Sequence, residues 1–500
     1  MKISSTAPLD PEPDTLPEAA GPLPSGLPSN LRWSVLKNTA AQAVGRGLIT
    51  LGRLAIISII VRKFGKDTFG EYSLVLVLLS LAEWLLDFGV TDFFVREICR
   101  EPGRRPHLLR VMTAVKLVQI PAGVAILIAA LFAFRYPADI VKAGLLGGAS
   151  MIFFAGVLVY RVIFKATLTL EFEVGAELAS VVAMILLLRP VSNWGGGLSS
   201  IFVCYLISRG VFFGLCFLSG RSRYSLSVRG VTWNDIRWSF QSSAAIGAAG
   251  LLIVVYETLD LLLLSRVGNL SEVAYYSAAQ KFVWPFLMAL SAIGGTLYPI
   301  VASYWPHARA QFEDACQRGL DVGIVLTGMA MCPVLAASSF FLGLLGPTLV
   351  AGVPVLKILA LICFMKAIST TLGPVLYVVH AQKHVLKVAI VAVALKAALI
   401  AAIAPRFGAV GVALSTFTAE MFSVAASVYL IQRFAGYRVR WTVLLKVVTI
   451  SVAAAVVLPL LSIRGLPAAA AAVALYCPLV FLSGALRFSE VRSLLRWKTA

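Results

Sequence analysis

Fourteen long apolar stretches fill the chain from Ser34 to Leu486, and the loops between them are alternately rich and poor in Lys and Arg. An α-helix needs about 20 apolar residues to cross a bilayer, and only helices or closed barrels leave no backbone polar group unpaired in lipid. The stretches fall at 36–61, 72–94, 110–133, 141–160, 174–193, 198–219, 240–265, 274–303, 319–346, 351–379, 385–404, 408–432, 442–463 and 467–486. They predict an all-α integral membrane protein with fourteen transmembrane helices. Composition agrees: 13% of residues are charged, where soluble domains carry about 25%.

The net charge of +19 invites a nucleic-acid reading. The basic residues, however, form neither a patch nor a tail. They sit in short loops, densest at Arg96, Arg100, Arg104, Arg105 and Arg110 and again at Arg221, Arg223, Arg229 and Arg237. That is the positive-inside pattern, with no nucleic-acid partner implied. It places both termini in the cytoplasm, with an excess of loop cations on that side of roughly three to one. Residues 1–33 are proline-rich and poor in apolar side chains, which predicts a disordered cytoplasmic tail. They lack the basic-then-apolar order of a cleaved signal peptide, so the first helix itself must direct insertion. A second cytoplasmic tail is expected at 488–500.

The seven Cys are scattered without a CxxC pair and read as small buried hydrophobes. His380 and His384 lie one turn apart without a neighbouring acid or Cys, which reads as a solvated loop end. No metal or cofactor is expected. No Gly-x-x-x-x-Gly-Lys-Ser/Thr run occurs, so the chain carries no such nucleotide-hydrolysing loop.

The informative residues are the charges within the spans. The cations are Arg46, Arg53, Lys116, Arg209, Lys281, Lys357, Lys366 and Lys396; the acids include Glu83, Asp87, Glu257, Asp260, Asp321 and Glu420. Each costs a few kcal/mol at the bilayer centre and is tolerated facing a protein interior or a wet cavity. Lys357 is near a helix end and snorkels; the others point to a hydrophilic pathway. In the first helix, Thr39, Gln42, Arg46, Thr50 and Arg53 fall within roughly 80° of arc. Such a stripe lines a cavity or makes a structural ion pair. Arg suits phosphate because its planar fork donates two parallel hydrogen bonds. Arg46 and Arg53 are therefore first-rank contacts for an anionic substrate, with Lys116, Arg209 and Lys281 second. Asp87 reads as a cap or orienting group for the helix end.

The chain also repeats itself. Arg62-Lys63-Phe64-Gly65 followed by Phe69-Gly70-Glu71-Tyr72-Ser73 recurs as Arg266-Val267-Gly268 followed by Val273-Ala274-Tyr275-Tyr276-Ser277. Both copies fall between the first and second helix of a six-helix set, which makes the repeats parallel and related by an axis along the membrane normal. The expected layout is two six-helix bundles, 34–220 and 221–440, around a central cavity, with two additional helices at 441–487. The repeat equates Glu257 with Arg53. Glu257 and Asp260 are thus candidates for a gate or an ion-coupling site, with Arg53 and Glu257 meeting in one conformation, or bridged permanently.

Leu36-Lys37-Asn38-Thr39 opening the first helix, the Phe69-Gly70-Glu71-Tyr72-Ser73 loop, Leu85-Leu86-Asp87-Phe88-Gly89 and Tyr275-Tyr276-Ser277-Ala278-Ala279 resemble the polysaccharide transporter family of oligosaccharide flippases. That family belongs to the superfamily that also holds multidrug extrusion proteins and peptidoglycan lipid flippases. Phe69 stands where Tyr is commoner and Ala274 where Gly is expected. The resemblance covers nearly all the chain after the tail. It implies a flippase, not an enzyme, in the bacterial inner membrane. Its substrate would be an isoprenoid pyrophosphate-linked oligosaccharide for exopolysaccharide, O-antigen or capsule, with membrane lipids, a polymerase and glycosyltransferases as partners. The alternatives are a cation-coupled multidrug efflux antiporter and a peptidoglycan lipid precursor flippase. Excess cations over acids in the spans favour an anionic cargo over cationic drugs. A membrane glycosyltransferase is disfavoured because no external loop is long.

Overall fold

A computed structural model describes residues 29–485 apart from 222, 223 and 225. The tail expected at 1–33 lies outside the described residues up to position 28, as does 488–500. Residues 29–33 already belong to the first helix.

All regular structure among the described residues is helical. The helices, in chain order, are α1 (Ser29–Phe64), α2 (Lys66–Arg100), α3 (Pro102–Ala133), α4 (Ala138–Ala166), α5 (Glu171–Asn193), α6 (Leu198–Gly220), α7 (Trp233–Val267) and α8 (Leu270–Tyr304). They continue as α9 (Arg309–Ala336), α10 (Pro347–Val378), α11 and α12 (one run, Gln382–Ala435), α13 (Thr442–Leu460) and α14 (Leu466–Leu482). Among the described residues, twelve continuous helical runs are long and apolar enough to cross a membrane, and α14 is a shorter apolar helix. The long run Gln382–Ala435 is itself two segments. Gly408 adopts φ 54° and ψ −135°, a backbone state costly for a residue with a Cβ, and folds α11 (382–407) from α12 (409–435). The Glu272 carboxylate accepts from the Ala409 backbone N–H at 2.8 Å, capping the new helix. Every span read from hydropathy thus has its helix.

The differences are local. The span expected at 72–94 contains a break at Phe88 and Gly89, both left-handed, that divides α2 into Lys66–Asp87 and Val90–Arg100. Buried Lys116 on α3 holds this break, donating to the Leu86 carbonyl at 2.8 Å and lying 3.4 Å from Asp87. Asp87 in turn accepts from the Thr91 backbone N–H at 3.2 Å. The span expected at 319–346 ends at Ala336, and a short helix, Ser338–Leu345, follows it. Hydropathy averages over both breaks because most residues around them are apolar, although Asp87 marks a helix end at the first.

The two halves meet at both ends of the bundle. At the end carrying the α1–α2 and α7–α8 turns, Ser271 donates to Asp67 and Lys66 donates to the Tyr275 hydroxyl at 3.0 Å. Asp67 and Ser271 are 204 residues apart, the same separation as Tyr72 and Tyr276 in the repeat. Equivalent positions therefore touch across the axis. Backbones come so close here that a Cβ on Gly70 would stand 2.2 Å from the Leu270 carbonyl oxygen. Arg62 ties the same end together by donating to the carbonyls of Gly343 and Leu344 at 3.3 and 3.2 Å. At the arginine-rich end, Phe93 packs edge-on against Trp238 at 5.0 Å and Arg110 donates to the Arg229 carbonyl at 3.0 Å.

Candidate functional site: a charged cavity between the halves

Between these two seams lies a cavity of about 650 Å³, lined by α1, α2, α5, α6, α7 and α8. Its charged wall residues are Arg53, Glu83, Glu177, Arg209, Glu257 and Lys281. Helical periodicity brings them together: Arg53 ends the polar stripe of α1, and Glu177 faces it from α5. The Arg53 Nη2 lies 2.6 Å from Glu177 Oε1. Arg209 on α6 lies 2.9 Å from Glu83 on α2 and donates to the Tyr205 hydroxyl at 2.9 Å. Its guanidinium also sits 5.0 Å from the Phe154 ring centre, a cation–π contact that strengthens where water is scarce.

Glu257 opens a second network that runs from the cavity into the second half. Lys366 on α10 bridges Glu257 at 3.0 Å and buried Glu420 at 2.8 Å. The Tyr256 hydroxyl donates to Glu420 at 2.7 Å, and Lys396 lies over the Tyr256 ring at 4.1 Å. Lys396 also pairs with Asp260 at 2.9 Å, which accepts from Tyr276 at 2.6 Å and Thr416 at 3.0 Å. Buried ions persist only when paired and hydrogen-bonded, and here each is.

Lys281 differs. It lines the cavity from α8, and among the described residues its ammonium has neither a carboxylate partner nor a hydrogen bond. Arg53, another cation, lines the same cavity. One turn before it, Ser277 also lines the cavity with its Oγ buried and unpartnered; so does Ser73 on α2, its equivalent in the repeat.

Of the sequence-nominated contacts, Arg53, Arg209 and Lys281 converge on the cavity, and Glu257 joins them. Arg46 is exposed and lies outside the lining, and Lys116 is engaged at the α2 break. Asp260 is buried behind the wall. Arg53 and Glu257 share the cavity, yet in this conformation each has another partner, Glu177 and Lys366 respectively. Sequence reasoning missed Glu177, an acid inside a predicted span whose charge alone could have flagged it. It also missed the two serines, which only the three-dimensional wall reveals.

A family profile described as "Polysaccharide biosynthesis protein" matches residues 35–305. A search of curated proteins returns no match. Solved structures supply the fold. A structure titled "Lipid II flippase MurJ, inward closed conformation" aligns with a TM-score of 0.70 at 13% identity, over 92% of this chain and 100% of that one. An inward-facing multidrug resistance MATE family transporter of the MOP superfamily aligns with a TM-score of 0.64 at 12% identity, over 78% and 95%. A MOP superfamily transporter from Pyrococcus furiosus aligns at 0.56 with 12% identity, over 81% and 96%. With more than half its length matched, the chain belongs to the polysaccharide biosynthesis protein family, and its fold is that of the solved structures above.

Proposed function

We propose that this protein moves an isoprenoid diphosphate-linked oligosaccharide from the cytoplasmic to the periplasmic leaflet of a bacterial inner membrane, supplying surface-polysaccharide assembly. The observation that carries the reading is Lys281: a cavity cation with no acid partner among the described residues, in the same lining as Arg53. An unpaired ammonium in a partly dry cavity attracts an anion strongly, and a diphosphate supplies one. Arg53, although paired with Glu177, has a largely exposed side chain and keeps donors for the same group. The sugar head would occupy the wet cavity while the polyprenyl tail remains in lipid. Transport rather than bond chemistry is the task, and with both termini cytoplasmic the end carrying the α1–α2 and α7–α8 turns would face the periplasm. Glu257, at the boundary between cavity and buried network, and Asp260 behind it are the candidates for coupling to an ion or for gating.

The test is a deletion strain. It should lose its surface polymer while retaining wild-type drug susceptibility, and a plasmid copy should restore the polymer. Intact polymer together with new drug sensitivity would replace this reading with the efflux alternative.

A further inference from the structure

We infer that the oligosaccharide carried is electrically neutral, its only anionic part being the linkage that meets Lys281. The inference rests on the flippase reading and names the substrate class of the same cavity. Among the described residues the charged wall consists of three cations, Arg53, Arg209 and Lys281, and three acids, Glu83, Glu177 and Glu257. Two of those cations are already occupied by two of the acids, and the third acid is held by Lys366 from behind the wall. One cation is left over. A headgroup with a single anionic anchor satisfies it, with help from the spare donors of Arg53; a repeat unit bearing uronic or pyruvyl acids would bring further negative charge to a wall whose other two cations already hold acid partners.

The rest of the lining suits an uncharged sugar. Ser73 and Ser277 are 4% and 1% exposed, line the wall, and have hydroxyl oxygens without a partner. Buried polar groups are almost always paired, so two orphans on one cavity wall mark where a polar ligand or its water completes the bonding. They occupy equivalent places in the two halves, whereas the residue one turn further on is Val77 in one half and Lys281 in the other. Hydroxyl donors and acceptors are thus offered from both sides, and charge from one side only. Trp84 and Trp284 add flat apolar faces to the same lining, against which a sugar ring can lie.

Purified protein in proteoliposomes would be given two lipids with the same polyprenyl diphosphate and the same number of sugars, one neutral and one with a hexuronic acid in place of a hexose. The neutral lipid should cross faster by about tenfold or more, the scale of one uncompensated like charge about 12 Å away at an effective dielectric of about 20. Binding of the two lipids to the detergent-solubilised protein should show the same order. Glu177→Gln, which releases Arg53, should shift the ratio several-fold toward the acidic lipid. Glu83→Gln, which releases Arg209, repeats the test at a second site should the first variant fold poorly. Equal rates, a faster acidic lipid, or a ratio that neither variant moves would overturn the inference. Transport of neither lipid by the wild type would instead remove the flippase reading, and this inference with it.

Discussion

At the residue scale, burial and pairing separate charges that look alike in sequence. Lys281→Ala should reduce transport ten- to hundredfold at unchanged membrane levels, because a lost charge-assisted contact costs about 1.5–3 kcal/mol. Arg53→Ala should fall in the same range, and Lys at that position should recover only part, lacking the planar fork. Arg46→Ala should have the smaller effect, its side chain being exposed and outside the lining. Equal losses at positions 46 and 53 in a reconstituted transport assay would contradict that ordering. Lys116→Met should act differently, lowering thermal stability and protein level, since it leaves the Leu86 carbonyl without its ammonium donor. Arg53, Arg209, Lys281 and Glu257 were legible in the sequence because any charge in an apolar span is conspicuous. Which charge remains unpaired was not, since Glu177 and Lys366 lie 124 and 109 residues from the partners they neutralise.

At the scale of elements, the spans were legible because bilayer thickness fixes helix length, and the repeat because its turn residues recur. The turn at Gly408 was legible as well, falling at the junction of the spans 385–404 and 408–432, whereas the break at Phe88 lies inside the span 72–94. What holds each turn was not legible, because Lys116 and Glu272 are contributed by other helices. The close approach at Gly70 offers a test at this scale. Gly70→Ala puts a methyl against the Leu270 carbonyl oxygen, a backbone atom with little room to yield. The seam should loosen, so Ser271→Cys placed in that background should react faster with a membrane-impermeant thiol reagent than in the parent. Identical labelling rates would mean that the seam absorbs the methyl elsewhere.

At the scale of the whole molecule, alternating access requires one seam to part while the other holds. Asp67→Cys paired with Ser271→Cys should cross-link under mild oxidation, stop transport, and recover it on reduction. Full transport by the cross-linked protein would show that this end never opens. The Glu257–Lys366 pair has a further consequence, in time rather than in space. The ammonium is encoded 109 residues after the carboxylate, and at about 5–20 residues per second it emerges roughly 5–20 s later. Lys396 and Glu420 come later still. Throughout that interval α7 must enter the bilayer with Glu257 and Asp260 lacking the lysines that will neutralise them, at a cost of a few kcal/mol. A chain ended before Lys366 should therefore hold α7 only partly inserted, as read by glycosylation sites placed on either side of it. Glu257→Gln with Asp260→Asn should make the same truncated chain insert fully, whereas equal insertion of both would show that neighbouring helices already shelter the acids. The order in which the ribosome delivers these charges thus makes the newborn second half a client of the insertion machinery until its tenth and eleventh helices arrive.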